Sequence, residues 1–186
     1  MIKDIFDKNI LIQTKRLLLR PLTQSDAQDI FEIFSDKQVM KYYDLLPFKN
    51  IERASRQIDF FIKGFEERSM IRWGIELKEN SKLIGTCGFF ALNEDVSKAE
   101  IGYELNRSYQ GRGYMTEALD AILRFIFSET DINRVEAYIE PPNIASQKTA
   151  EKVGFTKEGT LRQYEMCRGE RIDICVYGCL RSDVRY

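Results

Sequence analysis

Two glycines, Gly111 and Gly113, lie where the residue types and their spacing could bind a phosphate. Before them, residues 101–105 alternate between apolar and other side chains as a half-buried strand does. From Met115 onward, apolar residues recur at helical spacing. Glycine lets the backbone approach a ligand closely, and a helix start presents free N–H groups and the positive end of its dipole. The spacing predicts an anion site, although a tight turn without a ligand has the same pattern.

Two common phosphate motifs do not match this segment. No Lys-Ser or Lys-Thr pair follows Gly113, so the loop lacks the cation and the magnesium-binding hydroxyl of nucleoside-triphosphate sites. A dinucleotide fingerprint requires a third small residue three places after Gly113, where this chain has Thr116. The segment is therefore either a tight turn or a site for a phosphate-bearing ligand of another class.

The chain contains no histidine. This excludes Ser-His-Asp and Cys-His catalytic machinery and any zinc site that uses histidine. The four cysteines form no Cys-x-x-Cys pair, so we expect no metal. Catalysis must rely on carboxylates, hydroxyls, thiols or backbone dipoles. Direct acyl transfer from a thioester to an amine needs no more than these groups.

Two blocks resemble the GNAT superfamily of N-acetyltransferases. Residues 110–118 (Gln-Gly-Arg-Gly-Tyr-Met-Thr-Glu-Ala) are similar to its acetyl-coenzyme A (acetyl-CoA) loop, and residues 143–155 contain its Asn-x-x-Ser…Gly-Phe signature. The resemblance extends from about residue 14 to about residue 180. It implies acetyl-CoA as co-substrate and an α/β fold with a mixed, mostly antiparallel sheet of about seven strands and about four helices. It also implies these cofactor-binding residues: Tyr103, Leu105, Gln110, Gly111, Arg112, Gly113, Tyr114, Met115, Thr116, Asn143 and Ser146.

The catalytic residues depend on the branch of the superfamily. Many members have a tyrosine acid where this chain has Ala150. The branch of bacterial ribosomal-protein N-terminal (alanine/serine) acetyltransferases uses the serine of Asn-x-x-Ser instead, here Ser146. That branch also has Glu-Gly-x-x-(Lys/Arg)-Gln-x-Glu, which matches residues 158–165. The resemblance implies Glu165 as general base. Glu104, on the cofactor strand, is the alternative because other branches place a base there.

Three functions remain open from the sequence. The first is acetylation of the N-terminal amine of a protein, with a ribosomal protein as substrate. The second is acetylation of a small amine such as a polyamine, an aminoglycoside or an amino-acid-like metabolite. The third is a non-catalytic CoA-binding module, which would be favoured if Glu165 and Ser146 did not converge. Asn143 could cap a helix or face the cofactor, and Tyr42 and Tyr43 could pack or contact the acceptor.

Composition predicts one domain over residues 1–186. The chain is 44% apolar and 31% charged, with a net charge of −1, which indicates neither a nucleic-acid surface nor a membrane. The first ten residues lack an apolar run and resemble no signal peptide. We therefore expect a cytoplasmic monomer or homodimer with reduced thiols.

The remaining elements alternate between strands and helices. A capping box at Thr23–Asp26 predicts a helix through Phe34, and Asn50 precedes a second helix. The aromatic stripe of that helix (Phe60, Phe61, Ile62, Phe65) and Trp73 are predicted to be core. The predicted strands are 17–19, 71–77, 83–92, 101–105, 135–139 and two around Gly169, and further helices start at Met115 and span 146–153.

Overall fold

The computed structural model describes residues 2–7 and 10–184, and this part forms one eight-stranded sheet with four α-helices. The helices are α1 (Ala27–Ser35), α2 (Ile51–Glu66), α3 (Tyr114–Glu129) and α4 (Ile144–Lys152). The strands are β1 (Ile12–Gln13), β2 (Leu17–Pro21), β3 (Ile71–Leu77), β4 (Leu83–Asn93), β5 (Lys98–Leu105), β6 (Arg134–Ile139), β7 (Thr156–Cys167) and β8 (Glu170–Leu180).

The strand order is β1-β2-β3-β4-β5-β6-β8-β7. Every neighbouring pair is antiparallel except β5 and β6, which are parallel and are joined through α3. The predicted fold class is confirmed. The strand beyond the predicted number is the two-residue β1, which is too short to show an alternating pattern in the sequence.

Local capping explains where the first two helices begin. The carboxylate of Asp26 accepts a hydrogen bond from the backbone N–H of Thr23 at 2.7 Å, but residues 24–26 form a 3-10 turn and α1 starts only at Ala27. The side chain of Asn50 accepts from the N–H of Arg53 at 3.2 Å and caps α2. Both predicted starts are therefore confirmed to within a few residues.

The helices cover both faces of the sheet. A larger core lies under α3 and α4, and a smaller one lies between the sheet and α1 with α2. Trp73 is buried in the larger core, as predicted. The prediction that Phe60 is core is wrong, because its side chain is 55% exposed, whereas Phe61 is buried on the neighbouring face of α2. None of the described helices is both long enough and apolar enough to cross a membrane.

Candidate active site

The two central strands separate beyond their first residues. β5 and β6 pair only at Lys98–Arg134, Ala99–Val135 and Glu100–Glu136. β5 then continues to Leu105 and β6 to Ile139 without pairing to each other. The resulting gap leaves backbone groups of β5 available to a ligand and opens a passage between the two faces of the sheet.

The glycine loop follows β5 and ends at the start of α3. Gly111 and Gly113 have φ values of +74° and +77°, and Gly113 is the N-cap residue of α3. A Cβ on Gly111 would meet no atom within 4 Å, and one on Gly113 would meet only Arg16, at 3.5 Å. Glycine is thus required by backbone conformation rather than by crowding. Open space above a helix start is a suitable position for the pyrophosphate of CoA, whose binding at this loop stays a prediction.

The connection between β1 and β2 contacts this loop and the first turn of α3. The carboxylate of Glu117, in the first turn of α3, accepts from the Thr14 hydroxyl and from Arg16 Nε, both at 2.6 Å. Burial opposes its charge, but these hydrogen bonds hold the pKa of Glu117 below its usual value. Arg16 also donates to the carbonyl of Arg112 at 2.9 Å and lies 4.2 Å from the ring of Tyr114.

Sequence reasoning did not single out Arg16. It is about a hundred residues from the loop in sequence, so no local spacing signals the contact. Its guanidinium group places a cation beside the predicted anion site.

The other predicted cofactor residues of this segment differ in what they can offer a ligand. The side chains of Leu105 and Met115 are buried in the larger core, so only their backbone groups can reach a ligand. The Gln110 side chain donates to the carbonyl of Leu105 at 3.0 Å and ties the loop to the end of β5. Thr116 is half-buried and Arg112 is exposed. Their contacts with acetyl-CoA stay predictions.

A cavity of about 690 Å³ lies at the gap between β5 and β6. Tyr103 of β5, Asn143 and Ser146 at the start of α4, and Glu165 of β7 all line it. The structure therefore brings together the predicted base and the predicted hydroxyl, although β7 and α4 are separate elements. Tyr42 and Tyr43 line the same cavity from the α1–α2 side.

Ser146 is held from two sides. The Asn143 side chain accepts from the N–H of Ser146 at 3.2 Å, which caps α4. The hydroxyl of Tyr103 lies 2.6 Å from Ser146 Oγ and 3.2 Å from its carbonyl oxygen. Burial raises the pKa of Tyr103 to about 12 despite the hydrogen bond with Ser146. Tyr103 is therefore a neutral donor at physiological pH.

Glu104 lies in a different environment from Glu165. Its carboxylate accepts hydrogen bonds from Arg72 of β3 and from the Thr86 hydroxyl of β4, and both Arg72 and Glu104 are almost fully buried. Burial opposes the charge of Arg72, but Glu104 keeps the pKa of Arg72 above its usual value. Arg72 lines the cavity and Glu104 does not. This geometry is that of a buried ion pair that cross-links three strands.

Three further carboxylates line the cavity, those of Asp44, Glu100 and Glu140, and sequence reasoning did not single them out. Glu100 lies on β5 and Glu140 follows β6 directly. Burial raises the pKa values of Glu100 and Glu140, and the charge of Glu165 raises both further. Glu100 alternates along β5 with the buried Ile101, which places it on the face opposite the larger core. That alternation is visible in the sequence, but the presence of these carboxylates around one cavity is not.

The wall of the cavity facing α2 is aromatic. Phe60 and Phe61 line it, so two residues of the stripe that was predicted to be core form part of the pocket wall. The Tyr43 ring packs edge-on against Phe34 at 5.6 Å and lines the cavity as well, so both of its predicted roles fit. Tyr138 of β6 also lines the cavity, and its ring stacks on that of Tyr164 of β7 with the centroids 6.2 Å apart.

The chain belongs to the GNAT family. It matches the family model described as "Acetyltransferase (GNAT) domain" over residues 16–156. It is 38% identical over 171 residues to "Uncharacterized N-acetyltransferase YoaA" of Bacillus subtilis (strain 168), which covers 92% of this chain and 97% of that protein. It is thus an acetyl-CoA-dependent N-acetyltransferase, and acetyl-CoA is its co-substrate.

Two other similarities concern the branch and the fold. "Putative ribosomal N-acetyltransferase YdaF" of Bacillus subtilis (strain 168) is 26% identical over 171 residues, or 91% of this chain and 93% of that protein. The crystal structure of a GNAT-family acetyltransferase from Bacillus anthracis superposes with a TM-score of 0.84 at 26% identity, covering 93% of this chain and 99% of that one. Residues 2–7 and 10–184 contain no cluster of three or more side chains suited to a metal ion.

Proposed function

We propose that this enzyme acetylates the N-terminal amine of a protein, with a ribosomal protein as substrate. The observation that carries the proposal is the convergence of Glu165 and Ser146 on one cavity at the β5–β6 gap. A non-catalytic CoA-binding module would not require a carboxylate and a hydroxyl to line the same acceptor space.

In this proposal each group has one task in the reaction. Acetyl-CoA supplies the activated acetyl thioester. Glu165 removes the proton that the acceptor nitrogen must lose, directly or through a water. A backbone N–H of β5 near Leu105, beyond its pairing with β6, donates to the oxyanion. The Ser146 hydroxyl donates to the departing thiolate, and Tyr103 orients that hydroxyl.

Two observations support an N-terminal amine as the acceptor. Residues 158–165 match the pattern of the ribosomal-protein branch, and one relative carries the name of a putative ribosomal N-acetyltransferase. The chemistry agrees, because an α-amine has a pKa of about 7.7–8.0 and is partly neutral near pH 7. A lysine side chain has a pKa of about 10.4, and the site would have to lower that pKa much further before the neutral amine could attack.

A small polycationic amine is the second candidate. The observation that favours it is that the carboxylates of Glu100, Glu140 and Glu165 line the cavity, which Arg53, Arg56 and Arg72 line as well. Burial raises the pKa values of Glu100 and Glu140, and the charge of Glu165 raises both further. A ligand with two or more positive charges would offset the repulsion from Glu165.

A turnover screen with acetyl-CoA separates these functions. One set of acceptors contains peptides that begin with Ser or Ala, each paired with the same peptide blocked at its N-terminus. The other set contains polyamines, aminoglycosides and free amino acids. We expect the highest kcat/KM with free N-terminal peptides and no reaction with their blocked partners. A higher kcat/KM with polyamines would move the assignment to the second candidate, and no turnover with any amine would support the binding module.

A further inference from the structure

The strand that carries Glu165 contains an irregularity of two residues. Leu161 of β7 pairs with Ile174 of β8, but Glu165 pairs with Ile172. Four steps along β7 therefore match two steps along β8, and β7 bulges in between. Gln163, at the centre of the bulge, has φ +52°, a conformation that residues other than glycine seldom adopt.

The bulge determines which residue of β8 stands opposite Glu165. In regular antiparallel pairing from Leu161 and Ile174, Glu165 would stand opposite Glu170 at the end of the hairpin. Because β7 has two additional residues in the bulge, Glu165 stands opposite Ile172 instead, which is about 7 Å from Glu170 along β8. Ile172 and Ile174 line the cavity and Glu170 does not. Cys167, which does pair with Glu170, lines the cavity as well. The bulge therefore decides where along the cavity wall the carboxylate of Glu165 lies: beside Ile172, and not facing the carboxylate of Glu170.

One side chain holds the bulge in place. The backbone N–H of Gln163 donates to Asp173 Oδ1 at 2.8 Å. Asp173 alternates with Ile172 and Ile174 along β8, so it projects from the other face of the hairpin. It does not line the cavity and is exposed. Asp173 therefore cannot touch the reactants and can influence them only through the backbone of β7.

We infer that Asp173 is a positioning residue that fixes the β7 bulge and thereby places Glu165 beside Ile172 in the acceptor cavity. The inference rests on the proposed function in one respect, the role of Glu165. A carboxylate is suited to fixing the bulge, because a hydrogen bond that it accepts is stronger than one accepted by a neutral oxygen. It offsets the strain of a left-handed non-glycine residue.

The test is a double-mutant cycle between Asp173 and Glu165. Asp173→Ala removes the carboxylate that accepts the hydrogen bond from the Gln163 N–H. We expect kcat to fall about 10- to 100-fold, the scale of a small misplacement of a catalytic group. The KM for acetyl-CoA should stay unchanged, because the glycine loop is remote from β7. Asp173→Asn keeps an acceptor oxygen and should restore most of kcat. Arg171→Ala, a nearby exposed substitution on β8, is the matched control and should keep the parental kcat.

The double variant Glu165→Gln/Asp173→Ala decides how Asp173 acts. If Asp173 works through Glu165, the double variant is no slower than Glu165→Gln alone. If the two losses multiply, Asp173 acts elsewhere and the inference is overturned. It is also overturned if Asp173→Ala has the parental kcat while Glu165→Gln is inactive. A fully active Glu165→Gln would instead contradict the proposed role of Glu165, so the two failures are distinguishable.

A second variant covers the case in which Asp173→Ala alters the fold. Gln163→Pro removes the N–H donor and fixes φ near −65°, so it abolishes the bulge geometry on an exposed edge strand. We expect a loss of kcat similar to that of Asp173→Ala, with an unchanged dissociation constant for acetyl-CoA. A parental kcat for Gln163→Pro would contradict the inference.

Discussion

The hydroxyl groups of Tyr103 and Ser146 lie 2.6 Å apart and connect β5 to α4 across the gap between β5 and β6. In the proposed mechanism, this contact supplies a tyrosine hydroxyl near the thiolate in place of the α4 tyrosine of many family members. Ala150 occupies the position of the α4 tyrosine and is buried. The tyrosine that reaches Ser146 in this chain is Tyr103, which lies on β5. The Ser146 hydroxyl thus contacts the Tyr103 hydroxyl, while the Ser146 N–H contacts the Asn143 side chain that caps α4.

Removing the Ser146 hydroxyl should slow turnover modestly. We expect Ser146→Ala to lower kcat about tenfold, the equivalent of one hydrogen bond of roughly 1.4 kcal/mol. The loss should stay below that of Glu165→Gln, because water can partly replace a hydroxyl at the thiolate. Tyr103→Phe should show a smaller decrease of the same kind. Steady-state kinetics with saturating acetyl-CoA measures both, and parental kcat values for the two variants would remove Ser146 from the mechanism.

A side chain at Gly113 should weaken acetyl-CoA binding more than it weakens folding. Gly113→Val introduces a β-branched residue at φ +77° and directs its atoms into the open space above α3. Gly169→Val is the control for backbone strain, since Gly169 has φ +87° in the β7–β8 turn and also faces open space. Titration calorimetry should give a raised dissociation constant for the first variant only. Equal affinities would mean that the loop is merely a turn.

The Glu104 carboxylate should matter for stability rather than for proton transfer. Glu104→Gln leaves the buried guanidinium of Arg72 without its charged partner. We expect the free energy of unfolding to fall by about 3–5 kcal/mol, the range for breaking a buried ion pair. Folded protein should keep kcat within a few-fold. Parental stability together with a lost kcat would instead place the base on the cofactor strand and favour a small-amine acceptor.

The Glu117 carboxylate should make the anchoring of the loop pH-dependent. Its folded pKa lies below its unfolded value, so its contribution to stability is present above about pH 4.3 and is lost as pH falls through the folded pKa. Glu117→Gln should therefore lower the melting temperature near pH 7, and this difference should shrink in more acidic buffer. Thermal melts from pH 3 to pH 7 measure it. A difference that stays constant over this range would contradict the ion-pair account.

Local patterns in the sequence predicted the helices and strands. The arrangement of the site residues depends on contacts between distant segments, which these patterns do not contain. The glycine loop, the Asn50 cap and the buried Trp73 follow from short-range spacing, so they could be read in advance. The contact of Arg16 with the loop depends on strand pairing between distant segments. The position of Glu165 depends on a bulge that no alternation reveals, because a shift of two residues leaves the face of each side chain unchanged.

The kcat of Glu165→Gln, measured on the acceptor with the highest kcat/KM, tests the central claim most directly. We predict a decrease of about 10²- to 10⁴-fold with an unchanged dissociation constant for acetyl-CoA, the scale of general-base catalysis. Glu100→Gln, in the same cavity, is the matched control and should reduce kcat less. A Glu165→Gln enzyme with the parental kcat would contradict the assignment of Glu165 as the base.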